Sequence, residues 1–117
     1  DAGCREMRVE GELDLSVADE LRQRFDAAAS DEVDVLVCLS RCDFIDSTGI
    51  AAIVFAHKQL ASGGQRLLVC GPTRQVSRIL AVTGLNHFGL VYASAEEALA
   101  DGFERTAESP AQTASGI

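Results

Sequence analysis

The pattern of apolar and polar positions predicts four strands in the chain. Between residues 7 and 13, apolar residues alternate with charged ones at every second position, which is typical of a strand with one solvated face. A nearly continuous, valine-rich apolar run at 33–39 indicates a strand buried on both faces, as occurs in parallel sheets covered by helices. Shorter apolar runs at 66–70 and 89–92 predict the remaining two strands.

Apolar residues at helical spacing predict a helix after each of these strands. We expect the first helix at about 17–29, with Ser16 as its N-cap. Its inward face consists of apolar residues three or four positions apart: Ala18, Leu21, Phe25 and Ala28. A second helix is expected to end at Gly63-Gly64, and a third at Gly84. A Ser-Ala-Glu-Glu capping box at 94–97 opens the last helix.

The alternation of strands and helices predicts one α/β domain, because no internal repeat or linker divides the 117 residues. Such an order favours a mixed, mostly parallel sheet of about four or five strands, with about four helices and right-handed crossovers. Residues 41–43 are expected to form a connecting loop. We expect the domain to span 1–103, and the small, polar and aperiodic segment 104–117 to be a flexible tail.

The charge balance narrows the classes of partner. Ten Lys and Arg against eighteen Asp and Glu give a net charge of -8. Nucleic acids and anionic membranes are bound by basic surfaces, so direct binding to either is disfavoured. No apolar run has the roughly 18 residues that a membrane helix needs, and no signal-peptide pattern opens the chain. We therefore expect a cytoplasmic protein.

The four cysteines do not indicate a metal site. They lack the paired spacing of structural zinc sites, so neither a metal nor a cofactor is expected. Cys38 and Cys70 lie in apolar runs and are interpreted as small core residues. Cys4 and Cys42 are expected to be more exposed, which leaves a redox role open for either of them.

Known catalytic patterns are not found in the chain. It contains neither a phosphate-binding glycine loop nor a Gly-x-Ser-x-Gly elbow, and His57 and His87 have no nucleophile beside them in sequence. Residues 46–49, Asp-Ser-Thr-Gly, have one residue too many for the aspartic-protease motif. A receiver domain would need a lysine late in the chain, whereas Lys58 is the single lysine. We therefore expect no enzyme, although a small hydrolase that uses Ser47 stays open as an alternative.

The segment Asp46-Ser47-Thr48-Gly49 lies directly before the second predicted helix. It offers three capping-type residues where a single N-cap is sufficient. A phosphate on Ser47 would lie at free helix N–H groups and at the positive end of the helix dipole, so the domain could accept it without unfolding. This placement suits a serine that acts as a switch.

Two motifs at this separation resemble those of a known family. Gly11-Glu12-Leu13-Asp14 and the segment 44–50 together resemble the STAS domain, and specifically the bacterial anti-sigma factor antagonists. The resemblance covers about residues 4–101, and it includes Gly63-Gly64 and the residues at 82–85. It implies an antagonist that binds an anti-sigma factor while it is unphosphorylated and thereby releases a sigma factor. The anti-sigma factor is also a serine kinase that phosphorylates the antagonist, and a PP2C-type phosphatase reverses this step.

The same resemblance assigns the site residues. It implies that Ser47 is the phosphorylated residue. The residues that it places in the partner-binding surface are Asp14, Asp46, Ser47, Thr48, Gly49 and Ile50. Asp14, Asp43 and Asp46 are expected to gather at one edge of the domain, which implies a basic docking surface on the partner. The alternative is a regulatory or scaffold STAS module of a transporter or a stress-signalling assembly.

Family members usually have one more N-terminal strand. Only three residues precede Cys4 here, so that strand is expected to be short or missing. The edge left unpaired by its absence would favour a homodimer.

Overall fold

A computed structural model describes residues 4–85 and 90–102 of the chain, except for the side chains of residues 101 and 102. Four strands form one sheet in the order β1-β2-β3-β4. Their bounds are β1 Cys4–Leu13, β2 Asp34–Ile45, β3 Leu67–Cys70 and β4 Val91–Tyr92. His87 and the predicted tail at 104–117 lie outside the described residues.

A helix follows each strand. Their bounds are α1 Leu15–Asp31, α2 Ser47–Ser62, α3 Arg74–Thr83 and the single turn α4 Ala95–Glu97, which continues into a π-helical turn at Ala98–Gly102. The predicted α/β fold with alternating strands and helices is thus confirmed. The prediction allowed for a mixed sheet, but every strand pairing among the described residues is parallel.

The sheet buries its two faces to different extents. On one face, Met7 and Val9 of β1 belong to the same core as the predicted inward residues of α1, all of which are buried. On the opposite face, the π-helical turn contacts β3. The outward side chains Glu6 and Arg8 of β1 stay exposed there. A strand of alternating polarity beside a continuously apolar strand therefore corresponds to an edge strand beside a central one.

Strand β2 is longer than the sequence predicted. Residues 41–43, expected to be a loop, continue the strand to Ile45. Pairing with β1 shifts register between Arg8 and Glu10 and again between Gly11 and Glu12, so β2 accommodates extra residues as bulges. Cys42 is consequently fully buried, and the expectation that it is exposed was wrong.

Two predictions about where helices begin and end are confirmed. Gly84 ends α3 in a left-handed conformation, and Ser94 caps α4 by accepting a hydrogen bond from the Glu97 N–H, both as predicted. Thr83, the last residue of α3, is exposed, and its hydroxyl donates to the Leu80 carbonyl. No helix within the described ranges is long and apolar enough to cross a membrane.

Candidate functional site

The candidate site lies at the carboxyl ends of β1 and β2. Leu13 and Ile45 are the last paired residues of these strands, and each is followed by an aspartate that begins a helix. The Asp46 N–H donates to the Leu13 carbonyl at 3.3 Å, which joins the two strand ends. Asp14 and Asp46 therefore lie at the same edge of the sheet, as predicted.

Asp46 is the N-cap of α2. Its Oδ1 accepts a hydrogen bond from Thr48 Oγ1 at 2.5 Å and another from the Gly49 N–H at 3.0 Å. These donors favour the charged carboxylate, so the Thr48 hydroxyl first, and then the Gly49 N–H, lower the pKa of Asp46. Asp46 and Thr48 thus have structural roles at the beginning of this helix.

Gly49 is required by close packing rather than by its backbone angles. A Cβ atom there would lie 2.8 Å from both the Leu13 carbonyl oxygen and Leu13 Cγ. Only the hydrogen of a glycine fits between α2 and the end of β1. Ile50 is half-buried and packs against the core, so its side chain also anchors the first turn of α2.

Ser47 differs from its neighbours in the motif. It is the first residue of α2 and is exposed, whereas Asp46, Thr48 and Gly49 bond to one another or pack against Leu13. Its hydroxyl lies at the N-terminus of a helix of 16 residues, where backbone N–H groups and the helix dipole favour a negative charge.

The beginning of α1 has the same cap. Asp14 Oδ1 accepts from Ser16 Oγ at 3.0 Å and from the Val17 N–H at 3.3 Å. Ser16 was predicted to be the N-cap of α1, but the N-cap is Asp14, and the helix begins two residues earlier than predicted. The Asp14 carboxylate accepts from the free N–H of Val17. Leu15 occupies the position that Ser47 has in α2.

Exposed apolar side chains, which were not predicted from the sequence, lie beside the capping aspartates and further along α2. Leu15 is 60% exposed, Phe44 is 41% exposed and Phe55 is 61% exposed. Leu15 and Phe44 lie beside the two capping aspartates in sequence, and Phe55 lies two turns along α2. Asp43 is exposed at the second bulge of β2, so the edge is both acidic and apolar. Large side chains at a sharp turn from strand to helix could have been recognised from the sequence.

Groups that could activate the Ser47 hydroxyl are engaged or distant. The Asp46 carboxylate is held by Thr48 and Gly49. His57 is ten residues further along α2, about 15 Å along the helix axis. Burial lowers the pKa of His57, and the positive charges of Arg66 and Lys58 lower it further. No cluster of three or more metal-ligating side chains occurs within the described part of the chain.

Comparison with known proteins places the chain in a family. The family model of the STAS domain matches residues 1–98. The anti-sigma-B factor antagonist of Staphylococcus aureus is 31% identical over 81 residues, which are 68% of this chain and 75% of that protein. The chain therefore belongs to the STAS domain family.

Solved structures support the same fold. The unphosphorylated anti-sigma factor antagonist SpoIIAA has a TM-score of 0.72 at 23% identity and covers 82% of this chain and 84% of its own. The phosphorylated form of the Bacillus cell fate determinant SpoIIAA has a TM-score of 0.66 at 21% identity, with 83% and 88% covered. A sulfate transporter family protein from Wolinella succinogenes has a TM-score of 0.75 at 23% identity, with 86% and 84% covered.

Proposed function

We propose that this chain is an anti-sigma factor antagonist whose binding is controlled at Ser47. The unphosphorylated form binds an anti-sigma factor that is also a serine kinase, and it thereby releases a sigma factor. Phosphorylation of Ser47 ends the binding, and a PP2C-type phosphatase restores it. The observation that carries the proposal is that Ser47 is exposed in a motif whose other residues all maintain the helix start.

The position of Ser47 allows a phosphate to be added without refolding. The residue is exposed, and its side chain begins at the positive end of α2. A phosphate of about -1.5 to -2 charges would be solvated in the free protein and stabilised by the helix terminus. The contacts that hold α2 in place, from Asp46 and Gly49, do not involve the Ser47 hydroxyl.

The same phosphate would oppose binding. In the complex, the new charge would have to lose its water beside Asp46 and close to Asp14. A mismatched charge at an interface typically costs about 2–5 kcal/mol, which corresponds to roughly 30-fold to several thousand-fold in affinity. The exposed Leu15 and Phe44 would supply apolar contact area to the same partner, and the acidic residues favour a basic docking surface on it.

The chain acts in this scheme as substrate and binding surface rather than as an enzyme. Nucleophilic use of Ser47 would need a base that is itself held in place by a third group. Asp46 is held by Thr48 and Gly49, and His57 is three turns away on the same helix. These placements support a non-enzymatic role, and the cytoplasm is proposed as its location.

A regulatory STAS module of a transporter or stress-signalling assembly is the second candidate, since a sulfate transporter family protein has a similar fold. Ser47 distinguishes the two roles. A transporter module has no need for a kinase that modifies this serine, whereas an antagonist depends on one. The identity of neighbouring genes would separate them further.

A homodimer through the edge strand β1 stays a prediction. Within the described residues β1 lies at one edge of the sheet, but its exposed side chains include Arg8 and Glu10, and such charges hinder pairing between edges. Sedimentation of the unphosphorylated chain would test it: a monomer at all concentrations would contradict the dimer without affecting the role of Ser47.

Phosphorylation by candidate anti-sigma kinases tests the proposed function. The chain is incubated with each kinase and ATP and then digested with trypsin, which releases residues 42–58 as one peptide with Ser47 and Thr48 as its only hydroxyl side chains. We expect a single phosphate on Ser47, and none on the Ser47→Ala variant, which should stay bound to its partner in the presence of ATP.

The matched control is Leu15→Ser, which places a serine after the other capping aspartate. We expect no phosphate at residue 15, because the kinase must recognise more than a serine at a helix start. Phosphorylation of Thr48 alone, or release of Ser47→Ala by ATP, would contradict the proposed function.

A further inference from the structure

Two buried thiols face each other across the sheet, far from Ser47. Cys38 of β2 and Cys70 of β3 are partners in the parallel register, and their Sγ atoms are 3.2 Å apart. Neighbouring strands lie about 4.8 Å apart, which is within the range of Cα separations that a disulfide spans. Neither cysteine needs to move through the core for the two sulfur atoms to meet.

The pair is accessible from one side. A cleft of about 380 Å³ is lined by both cysteines. Its polar lining includes Arg8 and Ser40. The Cys38 thiol donates to Glu6 Oε2 at 3.1 Å, and this carboxylate also lines the cleft. A small oxidant can therefore reach Cys38, which is 9% exposed, more readily than Cys70, which is 2% exposed.

We propose that Cys38 and Cys70 are a redox pair that forms a reversible intramolecular disulfide when the protein meets a peroxide. Glu6 accepts the Cys38 proton, and the Cys38 sulfur attacks one peroxide oxygen. The O–O bond breaks, and with hydrogen peroxide the hydroxide that leaves takes the proton from Glu6 and becomes water. The Cys70 sulfur then attacks the sulfur of the resulting sulfenic acid, the S–O bond breaks, and the leaving oxygen takes the Cys70 proton and departs as a second water. In total, two thiols lose two electrons, and one hydrogen peroxide becomes two waters.

The surroundings of both cysteines favour the protonated thiol. Burial raises the pKa of Cys38, and its hydrogen bonds to Glu6 and Cys70 raise the pKa further. Burial likewise raises the pKa of Cys70. The pair should therefore react with peroxide more slowly than an exposed thiolate does.

The disulfide would enclose most of the functional site. The loop between Cys38 and Cys70 contains the end of β2 and all of α2 with Ser47. Closing a loop of this length restricts the unfolded chain, so we expect oxidation to raise the melting temperature by at least about 5 °C. The inference does not depend on the proposed function, since it concerns residues on another part of the sheet.

Peptide mapping of the wild-type chain tests the redox pair. Trypsin places the four cysteines on four different peptides, with Cys38 on 25–41 and Cys70 on 67–74. After treatment with hydrogen peroxide and blocking of free thiols, we expect these two peptides to be linked, with a loss of about 2 Da that dithiothreitol reverses. Oxidation of Cys4 alone, disulfides between chains, or sulfinic acid on Cys38 without a link would overturn the inference.

A cysteine variant and a second probe complete the test. Cys70→Ala should abolish the linked peptide, whereas the control Cys4→Ser should leave it unchanged. Should Cys70→Ala fail to fold, phenylarsine oxide is applied to the wild-type chain, because trivalent arsenic bridges two neighbouring thiols. We expect it to bind and to prevent the link; failure to bind the native protein would overturn the inference.

Discussion

The two turns that lead from strand to helix at the site share the same cap and differ in chemistry at two positions. In both, an aspartate caps the helix by accepting from a hydroxyl two residues later and from the N–H three residues later. The first helical residue is Leu15 in one turn and Ser47 in the other. The cap is therefore a structural feature of both helices, and the serine is what distinguishes α2.

The second difference lies at the third helical position. Val17 of α1 is half-buried and packs against the core, whereas Gly49 of α2 is pressed against Leu13 at the end of β1. The start of α2 thus sits closer to the sheet than a side chain would allow. This closeness fixes the position of Ser47 relative to both capping aspartates.

The largest effect on stability is expected at Gly49. Gly49→Ala places a Cβ against the Leu13 carbonyl, and overpacking of this kind typically costs about 1–3 kcal/mol, more than the helix propensity of alanine returns. Urea unfolding measures the loss. Val17→Ala is the matched control, and we expect a smaller loss because no clash is created; a Gly49→Ala variant more stable than wild type would contradict the close packing.

The two N-caps, Asp14 and Asp46, should contribute equally to stability. Asp46→Ala and Asp14→Ala each remove a carboxylate that satisfies a helix N–H and a hydroxyl. We expect each to lower the melting temperature by about 5 °C, and Asp46→Asn to lower it less, because asparagine also caps helices. A much larger effect at one turn than at the other would show that the two caps are not alike.

The smallest expected effect is a change in the pKa of Asp46. The hydrogen bond from Thr48 is the main cause of the lowered pKa of Asp46, so Thr48→Val should raise that pKa toward the ordinary value of 3.8. A carboxylate with a lowered pKa stabilises the fold above its ordinary value, and this stabilisation is lost as the pH falls through the lowered pKa. An NMR titration of Asp46 below pH 3.8 checks this, and an unchanged pKa in Thr48→Val would contradict the assigned cause.

Periodicity predicted the order of elements because burial determines where apolar residues occur. An element buried on one face has apolar residues at regular spacing, and a strand buried on both faces is a continuous apolar run. It did not predict the extension of β2 through residues 41–43, since the exposed Ser40 and Asp43 lie at bulges that interrupt the alternation. Burial of Cys42 follows from that extension. Bulges depend on how β2 pairs with β1, and the sequence of β2 alone does not indicate this pairing.

The position of the candidate site could also be predicted from the order of elements. Asp46 as a cap and its proximity to Asp14 follow from parallel strands that end together. The need for glycine at 49 arises from Leu13, which is distant in sequence. Gln65 is a further example: its side-chain amide donates to the carbonyls of Ala28 and Val33, a role that only the folded chain reveals.

The decisive measurement is the affinity of the chain, phosphorylated at Ser47, for the anti-sigma factor that is proposed as its partner. We expect the Kd to rise at least about 30-fold relative to the unmodified chain. The NMR spectrum of the free phosphorylated protein should change only around the start of α2. Equal affinity of the two forms, or unfolding of the free domain on phosphorylation, would contradict a switch that acts by charge at an intact helix terminus.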